Sequence, residues 1–462
     1  MSGIVDTKIW AEQTFDACDL GDRRRNKRLI QVARKVALHP AGSFPDQMDD
    51  WAELKATYRL FDCDAVTLES VASPHWNQTR QGTSGQTLVI CDTTELDFGS
   101  EREGLGRTGN DSGRGFLLHN ALMVDAATQS VLGVAGQTAY YRPLKKRPKE
   151  NSVQKRSRPR ESQVWGRVID DIGAPAEDVQ YVYICDRGAD NFEVFCHLLQ
   201  QRSDWVVRAK CQKRKLLTLA DEALTLPRLL PQLKLLGTYE LELRARPQQA
   251  ARTAKIEVLS GTIRMPAPHH KSPWIKSLEP EPIEMNAVHI REVNAPPDVE
   301  PIEWILYTSL PAETFEQAWR IVEFYEARWL VEEYHKALKS GCRVKTRQLQ
   351  TAARLEAMVG LMSVVSVKLL QLKTLANADP ERPARTVVPR FWLCMLKAVC
   401  KRNRRLDDLT VYEFYREVAK LGGFLGRKSD GEPGWITIWR GWEKLATLVR
   451  GAELAKALKS TY

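Results

Sequence analysis

Up to about residue 70 the apolar residues recur every three or four positions, and from Gln86 they run in short blocks instead. Leu29, Val32, Ala33 and Val36 share one face of a stretch that Asp22 can cap, with Arg24, Lys27, Arg28 and Lys35 on the other, which predicts a helix to about Leu38. A second helix is predicted over 50–61. Beyond Gln86, TLVICDT, FLLHNALMVD and VLGVAGQTA predict one strand and then a hairpin turning at 127–130. A strand at 179–185 (VQYVYIC), a helix at 191–199 and a strand at 205–209 follow.

The order β-β-β-α-β-α-β predicts a mixed α/β core of the ribonuclease H-like type. Between 211 and 301, alternating segments such as YELELRA and KIEVL predict a β-rich insertion, after which the core resumes with EWILYT at 303–308. Thr314 and Gln317 form a capping-box pattern that opens a helical region reaching Gly341. Past residue 353 the pattern is helical, interrupted by loops at 377–389 and 422–434. Three regions result: a helical N-terminal domain (1–70), an α/β domain (71–370) with its insertion at about 211–301, and a helical C-terminal domain (371–462).

Charge adds a direction. Lys plus Arg number 68 against 58 Asp plus Glu, and this basic balance suits a polyanionic partner. Residues 142–160 hold nine basic residues against one acid and three prolines, a loop able to track a phosphate backbone. The nine cysteines form no C-x-x-C pair, so a reducing compartment and no zinc are expected. The longest apolar run, 357–367, stops at Lys368 and is too short to span a bilayer; a soluble cytoplasmic protein with no membrane partner is expected.

GLGRTG at 104–109 fits G-x-G-x-x-G, but NDSGRGF continues the loop into a strand where a dinucleotide fingerprint needs a helix. Asp92 and Asp186 each follow an apolar strand ending in cysteine, so each presents a carboxylate at a sheet edge, and two like charges there call for a cation between them. A third carboxylate would complete an oxygen site for Mg²⁺ or Mn²⁺. In YEARWLVEEYHKALKSG, Tyr325, Arg328, Glu332, His335 and Lys339 step by three and four along one helical stripe, while Glu333 shares another with Glu326, Lys336 and Ser340, which reads as a charge-paired solvent face. The geometry leans toward Glu332 without deciding it.

CDTTEL around Asp92, CDRGAD around Asp186 and the Tyr325-(2)-Arg328-(3)-Glu332-(6)-Lys339 spacing resemble the DDE transposases of the insertion sequence four family. LGDRRRNKRL and TYRLF near the N-terminus, with LGGFLGRKSDGEPGW and IWRGWE near the C-terminus, are similar to that family's end segments. The resemblance implies a catalytic and metal-binding triad of Asp92, Asp186 and Glu332, holding two Mg²⁺ or Mn²⁺ ions for in-line phosphodiester displacement. It implies cut-and-paste transposition through a hairpin intermediate, with terminal inverted repeats and target DNA as double-stranded partners and a homodimer assembled on DNA. Tyr325, Arg328 and Lys339 would hold a phosphate of the non-transferred strand, and Trp304 would stack on a flipped base. Lys336, Arg187, Arg208, Arg24, Arg28 and Arg59 complete the DNA-contact candidates, whereas His119 is read as structural. The stripe Trp435, Trp439, Trp442, Ala446 and Val449 is read either as intradomain core or as part of a dimerisation surface. Against the family's best-known member, 142–160 is far more basic and the stretch after Pro389 lacks a lysine-rich segment, so repeat specificity does not carry over. Two other functions fit the same residues: a ribonuclease H-like nuclease without strand transfer, and a catalytically silent DNA-binding regulator.

Overall fold

The computed structural model describes residues 6–99, 102–109, 113–144, 160–243, 245, 250–400, 409–427 and 430–459. Most of the basic segment 142–160 lies outside the described residues. The chain opens with helices α1 (Thr7–Phe15), α2 (Arg23–Leu38), α3 (Trp51–Phe61) and α4 (Leu68–Gln81). Asp22 caps α2 by accepting from the Arg24 amide at 2.8 Å, and Asp50 caps α3 through the Glu53 amide, as the side-chain patterns predict. Sequence patterning misses α4. Its Pro74 sits inside the helix, and its buried face, Val71, Ala72 and Trp76, packs on strand and helix partners far along the chain.

The strands are β1 (Gly85–Asp97), β2 (Gly106–Thr108), β3 (Gly113–Asp125), β4 (Val131–Tyr140), β5 (Val179–Cys185) and β6 (Asp204–Arg208). Helix α5 (Gln163–Ile172) precedes β5 and α6 (Phe192–Gln200) precedes β6. Strands β4, β3, β1, β5 and β6 lie side by side; β3 and β4 run antiparallel to their neighbours, and β1, β5 and β6 run parallel. This is the ribonuclease H-like arrangement the element order predicts. GLGRTG supplies the short edge strand β2 paired with β3, and no helix follows it.

The insertion forms β7 (Lys215–Leu217), β8 (Ala223–Thr225), β9 (Lys234–Leu243), β10 (Arg252–Met265) and β11 (Ile283–Val293). It is not a separate unit. Strand β12 (Glu303–Thr308) pairs with β6 on one side and with β11 on the other, so the insertion prolongs the core sheet into a twelve-stranded one.

Helix α7 (Phe315–Glu326) starts at the Thr314–Gln317 capping box and is followed by α8 (Trp329–Lys336) and a π turn (Ala337–Gly341). The predicted helical region is therefore broken at Ala327 and Arg328. Next come α9 (Ala352–Ala378), α10 (Arg390–Cys400), α11 (Val411–Leu421) and α12 (Trp435–Lys459). α9 is long and apolar enough to cross a membrane, but in this fold it is mostly buried between the N-terminal helices, β4 and the C-terminal helices.

Two apolar clusters lie on opposite sides of the sheet. Leu88, Ile90, Val182, Ile184 and Val206 join the larger one, with α7, α8, α9 and both helical ends of the chain. Val89, Cys91, Tyr183, Cys185 and Val207 join the other, with α5 and α6. Trp439, Trp442, Ala446 and Val449 are buried within the chain; Trp442 donates to the Ala37 carbonyl at 3.2 Å and packs on Trp392. The tryptophan stripe is thus intramolecular core.

Candidate active site

Alternation along the strands decides which side chains meet. Asp92 keeps step with Leu88 and Ile90, Asp186 with Val182 and Ile184, Arg208 with Val206, and Trp304 with Leu306. All four therefore belong to the face covered by α7 and α8. The parallel pairing of β1 and β5 ends at Cys91 opposite Cys185, so Asp92 and Asp186 are the next residues beyond it on adjacent strands. β1 does not end at Asp92, as the sequence suggests, but continues to Asp97 paired only with β3. Asp186 also closes a short turn by accepting from the Gly188 amide at 2.7 Å.

Arg328, at the break between α7 and α8, lies between carboxylates from two elements. It donates to Asp92 Oδ2 at 3.2 Å and to Glu332 Oε1 at 2.5 Å. Burial, and then the charge of Asp186, push the Asp92 carboxyl up to about 6. Burial also opposes the charge on Arg328, yet the Glu332 hydrogen bond, with Tyr325 and Asp92 nearby, raises its pKa overall. Burial lowers the Lys339 ammonium, with Lys345 adding to the effect and Glu95 and Asp92 opposing it. The stripe of Tyr325, Arg328, Glu332 and Lys339 thus faces one carboxylate cluster despite the helix break.

Glu333 is not on a solvent face. It pairs with Lys373 of α9 at 2.5 Å, with only 14% of its side chain exposed. His119 is buried, bonded to Thr93 at 2.8 Å and set edge-on to Trp165.

Beside the carboxylates runs a groove of about 1350 Å³ whose lining includes Arg187, Arg208, Arg252, Tyr239, Trp304 and Glu326. Trp304 meets Tyr325 edge to face at 5.2 Å between centroids, and the Arg208 guanidinium lies 6.0 Å from its ring. Arg187 is exposed. Lys336 is exposed too, its ammonium 4.5 Å above the ring of Trp329. Arg24, Arg28 and Arg59 are set on α2 and α3, and no hydrogen bond or ion pair joins them to the carboxylates.

Three features escape sequence reasoning. Trp329 is 52% exposed next to Arg328, and its signal was an aromatic residue flanking the helix break. Asp190, last in CDRGAD, is buried and accepts from the Lys210 and Cys211 amides while pairing with Arg214. It fixes the chain where β6 leads into the insertion. His335 is buried against Asn120 of β3, a long-range contact that no spacing announces.

Carboxylate oxygens are the donors that hard divalent cations take, and the Asp92, Asp186 and Glu332 set fits them chemically. Among the described residues no three His, Cys, Asp or Glu side chains converge on one ligation point. Instead the guanidinium of Arg328 bridges Asp92 and Glu332.

The chain matches three protein-family models: Transposase DNA-binding over residues 7–66, Transposase DDE domain over 152–367, and Transposase Tn5 dimerisation domain over 364–462. The DDE match contains Asp186 and Glu332, whereas Asp92 precedes it. Asp92 joins them through strand pairing and Arg328.

Proposed function

Because the chain belongs to the DDE transposases, which generally use divalent metal ions, and carries transposase DNA-binding and dimerisation regions, we propose that it catalyses cut-and-paste transposition. Residues 1–70 bind the element's terminal inverted repeats, 71–370 cleave and join, and 371–462 pair two subunits on DNA. Arg24, Arg28 and Arg59 offer cations on the N-terminal helices to phosphates. Exposed Leu454 and Leu458, one turn apart on α12, offer apolar surface to a second subunit.

The observation that carries the reading is the convergence of Asp92 and Glu332 on Arg328, with Asp186 beside Asp92 on the next strand. Asp92, Asp186 and Glu332 would hold Mg²⁺ or Mn²⁺, two ions in all, which would supply Lewis-acid activation of the attacking oxygen and stabilise the leaving one. Asp92, raised by burial and by Asp186, would be relieved by a bound cation. Arg328 holds the site together through both carboxylates, and its planar fork can turn to a DNA phosphate. Tyr325 and Lys339 flank it and suit the same phosphate. Trp304, on the groove floor, presents a ring for a flipped base, and the exposed ring of Trp329 offers a second stacking surface at the strand break. A base held out of the stack favours a hairpin route for the second strand. The reaction would take place on the bacterial nucleoid.

The test is incubation with Mg²⁺ and a duplex bearing the inverted repeat that flanks the gene. Nicked, hairpin and strand-transfer products are expected. Nicking without joined products would leave a nuclease, and binding without nicking a silent regulator.

A further inference from the structure

We infer that His335 and Asn120 form a positioning pair that holds Glu332 at the right distance from Asp92; the inference rests on the catalytic reading above. Helix α8 is only eight residues long, bounded by the break at Arg328 and by the π turn from Ala337. Such a segment inherits little rigidity from its neighbours, and a π turn marks an irregularity of the kind often found at functional sites. Its orientation must come from tertiary contacts.

Those contacts form one buried polar chain. Asn120 Nδ2 donates to His335 Nε2 at 3.1 Å and to the Leu118 carbonyl at 3.0 Å. Asn120 Oδ1 accepts from Gln137 Nε2 at 2.7 Å. Gln137 Nε2 also reaches the Tyr334 hydroxyl at 3.2 Å, and Gln137 Oε1 accepts from Ser363 of α9 at 2.9 Å. All five side chains are buried. The sheet, α8 and α9 are therefore tied together through consecutive residues, Tyr334 and His335, one turn past Glu332.

The chain also has a direction. Because the Asn120 oxygen is taken by Gln137, its amide group must face His335, so Nε2 of that ring accepts and the proton resides on Nδ1. Burial keeps this histidine neutral, its pKa lowered to about 3, with Lys339 adding to the effect. Asn120 is the cross-strand partner of Asp92. Asp92 is thus fixed to Asn120 by the β1–β3 ladder, Asn120 to His335 by a hydrogen bond, and His335 to Glu332 by one helical turn. This tie runs from the sheet side, whereas Arg328 spans the two carboxylates from the helix side and is the group expected to leave for DNA.

Two variants and one resonance test the pair. His335→Gln keeps an acceptor near the Nε2 position, while His335→Leu keeps bulk and removes it. On the duplex bearing the flanking inverted repeat, the Leu variant is expected to nick roughly 10- to 100-fold more slowly at saturating DNA, with end affinity unchanged and the Gln variant restored to near wild type. A Leu variant at wild-type rate, or a Gln variant as slow as Leu, overturns the inference. Should the Leu variant not fold, the ¹⁵N resonances of the wild-type His335 ring still decide: an unprotonated Nε2 is expected, and a protonated one overturns the inference. That arm needs no catalysis, so a wild-type protein that never nicked would count against the transposition reading and leave the pair to be judged by its tautomer.

Discussion

The ring of Trp439 lies directly against Gly341, leaving no room for a Cβ at that position. Gly341 ends the π turn that carries Lys339, and Trp439 belongs to α12, so the C-terminal helix is seated on the segment that follows the candidate catalytic helix. Gly341→Ala is expected to force the ring away and to cost about 1–3 kcal/mol, as overpacking of a tight core does. Thermal denaturation measures this, with Gly451→Ala, inside α12 where a Cβ meets open space, as the control that should instead stabilise by up to about 1 kcal/mol.

Lys368 is buried on α9 with its ammonium 4.5 Å over the ring of Trp10, and its nitrogen has no hydrogen-bond partner among the described residues. Burial lowers its pKa to about 7, with Asp6 opposing the shift. The unfolded chain therefore binds this proton more tightly than the folded one, so the fold bears the full cost of the charge below pH 7 and progressively less as pH rises toward the ordinary lysine value. Lys368→Met is expected to stabilise the protein by about 3 kcal/mol at pH 6, and by much less near pH 10. A stability difference that did not shrink between those two pH values would refute the assignment.

Glu332 and Glu333 are adjacent in sequence and differ in partner: the first accepts from Arg328, the second from Lys373. Glu332→Gln is expected to lower the nicking rate by roughly 10²–10³-fold, the scale of losing one electrostatic group aimed at the reacting phosphate, with little change in melting temperature. Glu333→Gln should do the reverse. It strands Lys373 among half-buried groups, costing about 1–3 kcal/mol, and leaves nicking near wild type. Parallel gel assays and melting curves on the two variants distinguish these outcomes.

That contrast bears on how far the chain could be read before folding. Strands β5 and β12 were legible to the residue, because their apolar runs are bounded by polar turns on both sides, and the caps Asp22, Asp50 and Thr314 set three helix starts. The 3.6-residue period also put Glu332 in line with Arg328. It misread Glu333 as solvated, since the partner Lys373 is 40 residues away on α9 and periodicity reports only neighbours on the same helix. α4 escapes the pattern for a similar reason: it contains a proline and is stabilised by what it lies upon, and α5, which the element order implies but no residues mark, lies against β3, β4 and α6. The insertion's strands alternate on their own, and the β11–β12 ladder that continues the core sheet into it is a long-range pairing that alternation does not report.

Asp190 gives the last expectation. Its carboxylate is buried, pairs with Arg214, and accepts two backbone amides, Lys210 at 2.7 Å and Cys211 at 3.0 Å. Arg214 also reaches the Asp190 carbonyl at 2.8 Å, so one residue closes the corner where β6 turns into the insertion. Asp190→Ala would leave a guanidinium and two amides without their acceptor in a poorly solvated corner, at a cost of about 3–5 kcal/mol. Asp190→Asn keeps one acceptor oxygen but replaces the other with a donor facing Arg214, so it should be destabilising as well, to a smaller extent. Because the corner adjoins Arg208 and the wall of the groove, both variants are expected to admit protease near residues 210–215 before the rest of the sheet opens. Limited proteolysis with mass-spectrometric mapping of the first cut checks this: a first cut elsewhere, at wild-type rate, would show that Asp190 does not hold the corner.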